Sequence, residues 1–502
     1  MAMIAQRLGF STLLVERGRH PRFAIGESST PLANRLLEEL ARDYKLPFLK
    51  PLCKWGTWQQ QTPQLACGIK RGFTFYHHEF GKPFAPDPDG NRQLLVGASP
   101  NEVVADTHWY RPDFDHYLVK KAQDMGVIYL DQLELGSANE GSNCFRLEGK
   151  HLGQPIKIEG ELVLDATGPR GFLFRALELQ ERQFSTLPPT QALFSHFMGV
   201  GPLPDSFSSN GRLPPYPPEQ AAVHHIFPGG WVWVLKFNNG LTSAGVAATE
   251  QLADKLNLHT GEAGWKNLLR ELPSLAEIFQ SAKAVVPFIH QRRVSFQSSV
   301  VTGQRWAMLP SAAGVVDPLL STGFPLTLLG IERLAGILQR HGTGLSSSNE
   351  LQEYGRLTTR ELETTAQLVA ALYSTMDRFS LFRELSLLYF AAASFSETAR
   401  RLNKPALADS FLLCKHSVFG PELIACGRRA AKAGTEAEAA DLQNAIRAVI
   451  QPFEVAGLTD RTRHPWYPAL VSDLYAAAPK LGVSEADIRM MLKECGLEKG
   501  CT

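Results

Sequence analysis

The sequence predicts an α/β fold: a Rossmann-like parallel-sheet body, an antiparallel-sheet unit and a helical C-terminal region. Three observations predict it. Residues 1–16 read as the tail of a helix, a turn at Gly9, a short apolar strand over Ser11–Val15 and a strand-end acid, Glu16. Between about 180 and 300, β-type runs such as Trp231–Phe237 alternate with proline-rich loops such as Leu213–Pro218. From about residue 350 onward Leu, Ala, Glu and Arg recur at helical spacing.

The elements follow in order. Residues 31–45 read as an amphipathic helix, 46–100 as turns and short strands, and 113–126 as a helix leading to a strand near 127–130. The run LVLDATG ends an apolar strand at Asp165 and turns at Gly168, a strand near Trp306–Leu309 runs into AAGVVDPLLSTG, and a helix covers Leu326–Arg340. The expected units are 1–180, with strands of about 46–105 inserted from the second unit, then 181–300, a return to the first unit over 301–345, and a helical region over 346–502. A Pro/Gly break is expected around 420–427, and there is no internal repeat.

Composition narrows the function. With 51 basic and 50 acidic residues the formal charge is +1, which gives no nucleic-acid footprint and no polybasic membrane surface. Seven cysteines are scattered without a CxxC pair or metal-ligand spacing, as in a reduced intracellular chain. No signal peptide and no membrane-spanning run of ~20 apolar residues is read, so a cytoplasmic small-molecule enzyme is expected. The pairs His77-His78 and His224-His225 would point to opposite faces of a strand, a poor geometry for one metal, and read as surface or loop histidines; no metal is expected.

In a dinucleotide-binding βαβ unit a glycine fingerprint opens the helix, and an acid ~20 residues further on meets the ribose. Glu16 stands so near Met1 that the matching strand and glycines would be expected before residue 1. Four further segments carry chemistry: LLVERGRHPRFAIGESSTP, RPDFDHYL, DATGPRG and PSAAGVVDPLLSTGF. Together they resemble flavin-dependent halogenases and their monooxygenase and geranylgeranyl-reductase relatives, over roughly residues 1–340.

The resemblance implies a p-hydroxybenzoate-hydroxylase-like architecture with FAD as cofactor. Glu16, with Arg17 beside it, then binds the adenosine ribose, and Gly26-Glu27-Ser28 lie beside the isoalloxazine. Arg111 contacts the flavin side, where a permanently charged guanidinium bonds phosphate or ring oxygens without a protonation change; the other reading is a helix surface capped by Asp113. Asp165-Ala166-Thr167-Gly168 pass close under the nucleotide, small residues letting the backbone approach. Asp317 and Ser321-Thr322-Gly323 open a helix whose N–H groups suit the flavin pyrimidine edge or a halide. The family's Gly-Asp is Pro310-Ser311 here, so Ser311 replaces the aspartate that bonds the ribityl chain.

The run GIKRGFTFY resembles the family's Lys-x-Gly-x-x-Phe segment and maps its lysine onto Lys70. The resemblance implies that a flavin hydroperoxide oxidises halide to hypohalous acid, which Lys70 carries as a chloramine or orients by a hydrogen bond. Such an amine needs a desolvated setting that lowers its pKa; the other reading is a solvated lysine. GGWVWVLKF resembles the Trp-x-Trp element that walls substrate from flavin, through Trp231 and Trp233, with Leu235-Lys236 in place of its Ile-Pro. Aromatics at period two also pack a sheet into a core. The function expected is halogenation of a small aromatic or electron-rich molecule, with a partner reductase supplying reduced flavin. The alternatives are an FAD-dependent monooxygenase, a geranylgeranyl-reductase-like enzyme, and a non-catalytic remnant or truncated gene model.

Overall fold

The computed structural model describes residues 1–87, 90–207, 213–342, 349–463 and 465–497. Short parallel strands form the first body. Leu13–Val15 pairs with Ile128–Leu130, and Val163–Asp165 pairs with Trp306–Met308. The first strand of each pair leads to an acid: Glu16 follows Val15, and Asp165 closes its strand. The expected helices are present with shifted ends: Pro31–Asp43, Arg111–Asp124 and Gly323–His341.

The helix Pro31–Asp43 shows why these segments fold as they do. Thr30 accepts a hydrogen bond from the Ala33 N–H at 3.2 Å, and Pro31 takes the first turn, where its missing N–H is harmless. Leu32, Leu36, Leu37 and Leu40 then form one buried stripe. The helix Arg111–Asp124 differs from expectation at its start. Tyr110 occupies the cap position, while Asp113 lies inside the first turn and accepts from the Ala66 N–H at 3.0 Å.

Among the described residues the largest sheet has nine strands. Its path runs Lys283–Ala284, Thr190–Met198, Leu241–Thr249, Gly230–Lys236, Ala222–Phe227, Gly72–His77, Gln93–Gly97 and Trp466–Tyr467, with Ile289–Gln291 also on Thr190–Met198. It is antiparallel except at two joints: Ala222–Phe227 beside Gly72–His77, and Trp466–Tyr467 beside Gln93–Gly97.

Helices Asn349–Tyr373, Phe379–Arg401, Phe419–Ala430 and Glu436–Ile450 fill the C-terminal region. The second covers one face of the sheet: Phe390 meets Phe73 at 5.1 Å, Phe382 meets Phe75 at 5.9 Å, and Phe379 stacks on His77 at 5.1 Å. Two expectations are corrected here. Helix Phe419–Ala430 runs through the expected break at 420–427, because Pro421 sits in the first turn and needs no donor there. Gly427 lets the helix approach its neighbour, since a Cβ would lie 3.2 Å from the Ala371 Cβ. The region is also not purely helical, as Trp466–Tyr467 joins the sheet edge.

Candidate active site

Lys70 ends the strand Cys67–Lys70, which pairs antiparallel with Asp106–Trp109. The next strand begins at Gly72, where a Cβ would stand 2.2 Å from the Val96 carbonyl oxygen. The lysine-x-glycine spacing is therefore steric: only glycine lets the chain cross onto the large sheet directly after the lysine. Lys70 is fully buried. Its Nζ donates to Ser28 Oγ at 2.8 Å and to the Ser29 carbonyl at 2.6 Å, and lies 3.8 Å from the centre of the Phe73 ring. Burial pushes the amine well down from the ordinary lysine range, while nearby Asp106 pulls it back up.

An aromatic and imidazole layer continues from this amine. His224 stacks on Phe75 at 4.5 Å and on Trp231 at 5.3 Å. Burial pushes His224 down to about 3, with the Lys70 charge adding to the effect. Trp231 and Trp233 are both buried, 5.6 Å apart. The Trp231 indole donates to the Tyr373 hydroxyl at 3.2 Å, and that hydroxyl donates to Asp317 Oδ2 at 2.9 Å. Asp317 also takes the Leu319 N–H at 3.0 Å; burial pushes its carboxyl up to about 6 against these donors. Beyond it, Leu320 (φ 65°) and Ser321 (φ 56°) sit in the left-handed region. Such backbone is strained for non-glycine residues and concentrates at functional sites. Thr322 is buried, and Gly323 opens its helix exposed.

The Gly26-Glu27-Ser28 turn joins these parts. Arg111 forks onto Asp115 at 2.7 and 2.8 Å and donates to the Ile25 and Gly26 carbonyls at 3.2 and 2.9 Å. Its guanidinium thus clamps the turn, and lies 5.8 Å from the Phe324 ring centre. Glu27 is buried against His196, with Oε1 2.7 Å from Nε2.

Glu16 and Asp165 serve their own strand ends. Glu16 accepts from the Gly18 N–H at 2.7 Å and from Arg22 at 3.1 Å, with Arg17 exposed beside it. Asp165 accepts from Thr167 and from the Leu173 N–H, leaving Ala166 and Thr167 exposed. The Leu309 N–H donates to the Asp165 carbonyl, so the half-buried Ser311 follows directly beside that turn. Among the described residues, the Glu16, Asp165 and Ser311 groups make no hydrogen bond to Lys70 or the tryptophans.

Sequence reasoning missed Asp106, Asn34, His196 and Tyr373, whose partners are all distant in the chain. It also misplaced the histidines. His224 and His225 are buried in the sheet and His78 is buried just past a strand end, rather than at the surface, and His78 Nε2 meets His225 Nδ1 at 2.9 Å. Both faces of these central strands are covered, so alternation separates two cores instead of core from water. Among the described residues no group of three His, Cys, Asp or Glu side chains could hold a metal, and no helix is long and apolar enough to cross a membrane.

The backbone fits a flat cofactor where one is expected. At Gly168 and Gly323 a Cβ would meet nothing within 4 Å, and at Gly26 it would meet only Arg111 Nη1 at 3.7 Å. These open patches, with the partly exposed Glu16 carboxylate, suit a ring and a ribose lying on the chain.

The fold is shared with solved halogenases: PltM in complex with phloroglucinol and FAD superposes with a TM-score of 0.80 at 22% identity, covering 93% of this chain and 96% of that one. In sequence, the chain is 28% identical over 392 residues to monodechloroaminopyrrolnitrin halogenase PrnC of Pseudomonas fluorescens, covering 76% of this chain. It is 27% identical over 337 residues to the tetracycline 7-halogenase of Kitasatospora aureofaciens, covering 65% of this chain. The chain spans 67% of the first relative's length and 59% of the second's. Residues 107–382, more than half of the chain, match the tryptophan halogenase family. On that match, and on the fold that carries it, the chain belongs to the tryptophan halogenase family of FAD-dependent enzymes.

Proposed function

We propose that the chain halogenates a small aromatic or electron-rich molecule and that Lys70 is its catalytic residue. The observation that carries this reading is the Lys70 amine itself: fully buried, hydrogen-bonded to neutral oxygens of Ser28 and Ser29, and seated on an aromatic face. A cation there is costly to desolvate even with Asp106 opposite it on the neighbouring strand, and a methyl-terminated side chain would not carry that cost. An amine kept in such a place serves chemistry better than stability.

In this reading Glu16 and Arg17 hold the adenosine ribose of FAD. Gly26, Glu27, Ser28 and Arg111 form the ring-side turn, Asp165, Ala166, Thr167 and Gly168 the nucleotide floor, and Ser311, Asp317, Ser321, Thr322 and Gly323 the flavin edge. When bound, reduced FAD with oxygen supplies the oxidising equivalent that turns halide into hypohalous acid. Lys70 then receives the electrophile: its amine lone pair is nucleophilic when neutral, and its N–H groups orient an oxygen when not. Ser28 ties the amine to the flavin-side turn, so that both move as one piece. Trp231 and Trp233 exclude water from the far side. A separate reductase delivers reduced flavin. Likeness to enzymes named for monodechloroaminopyrrolnitrin and tetracycline, both aromatic molecules, supports an aromatic acceptor.

The test combines purified chain, FAD, a flavin reductase and chloride or bromide with a panel of phenols and indoles. A halide-dependent product carrying the halogen mass is expected, with the product lost and flavin reduction kept in Lys70→Ala. Oxygenation that proceeds without halide would overturn the reading and assign a monooxygenase.

A further inference from the structure

Lys70 and Asp106 stand directly opposite each other in the antiparallel pairing of their strands. Opposed residues project to the same face of a ribbon, with Cβ atoms about 4.5–5.5 Å apart. Both are buried, Lys70 at 0% and Asp106 at 6% exposure. One stretch of chain holds both heads. Ser28 and Ser29 take the hydrogen bonds of Lys70, and Asn34, one turn into the following helix, donates to Asp106 Oδ1 at 2.7 Å. Ser29 Oγ closes the frame by donating to the Thr107 carbonyl at 2.8 Å. The carboxylate is thus aimed by a neutral amide, near enough to act on the amine through its field.

Of the other groups facing this pair, Glu397 raises Asp106 and Arg401 lowers it, in opposite senses, and the rest carry no charge. Burial and then the Lys70 charge hold His108 and His224 well below the ordinary histidine range, so both rings are neutral. Burial raises the Tyr389 hydroxyl and the Cys53 thiol, which stay protonated. Arg401 is committed to Glu397 and to Glu38.

We propose that Asp106 is a positioning residue that sets the charge state of the Lys70 amine, with Asn34 fixing its carboxylate; the proposal rests on Lys70 being the working amine. Burial drives the lysine down and the aspartate up, and each charge draws the other back. Removing the carboxylate leaves only the downward drive on the lysine. In Asp106→Asn the amine therefore loses its proton at lower pH than in the native chain.

The experiment follows the Lys70 Nζ by NMR of FAD-loaded protein carrying isotope-labelled lysine, the signal being assigned by its loss in Lys70→Met. In Asp106→Asn the midpoint is expected to fall by roughly one pH unit or more, the size of an opposite charge at close range. The Lys70-dependent limb of the halogenation pH profile should shift with it, while KM for the aromatic acceptor stays unchanged. Asn34→Ala, which weakens the carboxylate's charged form, should move the midpoint the same way by less. A folded, FAD-loaded Asp106→Asn with the native midpoint overturns the proposal; if that variant does not fold, Asn34→Ala decides by the same rule. If the midpoint shifts but the native chain halogenates nothing, the activity reading fails and the assignment of Asp106 stands.

Discussion

Glu27 and His196 meet at 2.7 Å with both side chains withdrawn from solvent, 169 positions apart in the chain. The contact pins the Gly26-Glu27-Ser28 turn to the strand Thr190–Met198, and the Trp109 N–H holds the same residue through the Glu27 carbonyl at 2.6 Å. His196→Ala removes the partner and leaves a buried acid alone, so stability should fall by about 3–5 kcal/mol. FAD affinity should fall with it, because the turn is no longer fixed. Urea denaturation and flavin titration read the two effects; native values for both would show the contact to be idle.

Lys70→Met should abolish halogenation and also cost stability. The substitution removes one partner of the buried Lys70–Asp106 pair and leaves the carboxylate without an opposite charge, so stability should fall by about 3–5 kcal/mol. A paired measurement of urea midpoint and turnover checks this. Adding Asp106→Asn should recover part of the loss; unchanged stability in Lys70→Met would show that the two groups do not act on each other.

Asp317 gives a pH signature. Burial raises its carboxyl to about 6, so the folded chain holds that proton more tightly than the unfolded chain does. Its contribution to stability therefore declines as pH rises from about 4, the unfolded value, to about 6. Asp317→Asn cannot titrate. Its stability relative to the native chain should climb across that window by up to about 3 kcal/mol and then level off. Denaturation at several pH values tests it; a difference independent of pH would mean that Asp317 ionises normally.

Gly245 faces Trp233 across the sheet, and a Cβ there would lie 2.4 Å from both the Phe194 Cβ and the Trp233 ring. Gly245→Ala should cost about 1–3 kcal/mol by overpacking and tilt the indole away from Ser243, its partner at 3.2 Å. Tryptophan fluorescence should change, and should not change in a Trp233→Phe background.

Much of this was legible because it is local. The strand-end acids at Glu16 and Asp165, the Gly26 turn and the helix opening at Gly323 are each written in consecutive residues. The role of Gly72 beside Lys70 is local too, although its reason, the Val96 carbonyl, is not. Asp106 was illegible because its meaning lies in a register across two strands and in an amide on a helix. The buried histidines were misread for a similar reason: one face of the sheet is closed by Phe379–Arg401 and the other by Phe84 and Phe207, all contributed from outside these strands. Pro421 misled because a proline's effect depends on which turn of a helix it occupies.

The strand Trp466–Tyr467 closes the sheet edge at Gln93–Gly97, with Trp466 and Gln93 bonded across 373 positions. A polypeptide emerging from the ribosome would complete the Gln93–Gly97 strand early and keep its outer edge unsatisfied until nearly all of the sequence has been made. Unpaired edges recruit other chains, and contacts this remote are slow to form. Yield in cells should thus depend on how long that edge waits, with chaperone supply and slowed translation between the two strands setting the fraction lost to aggregation.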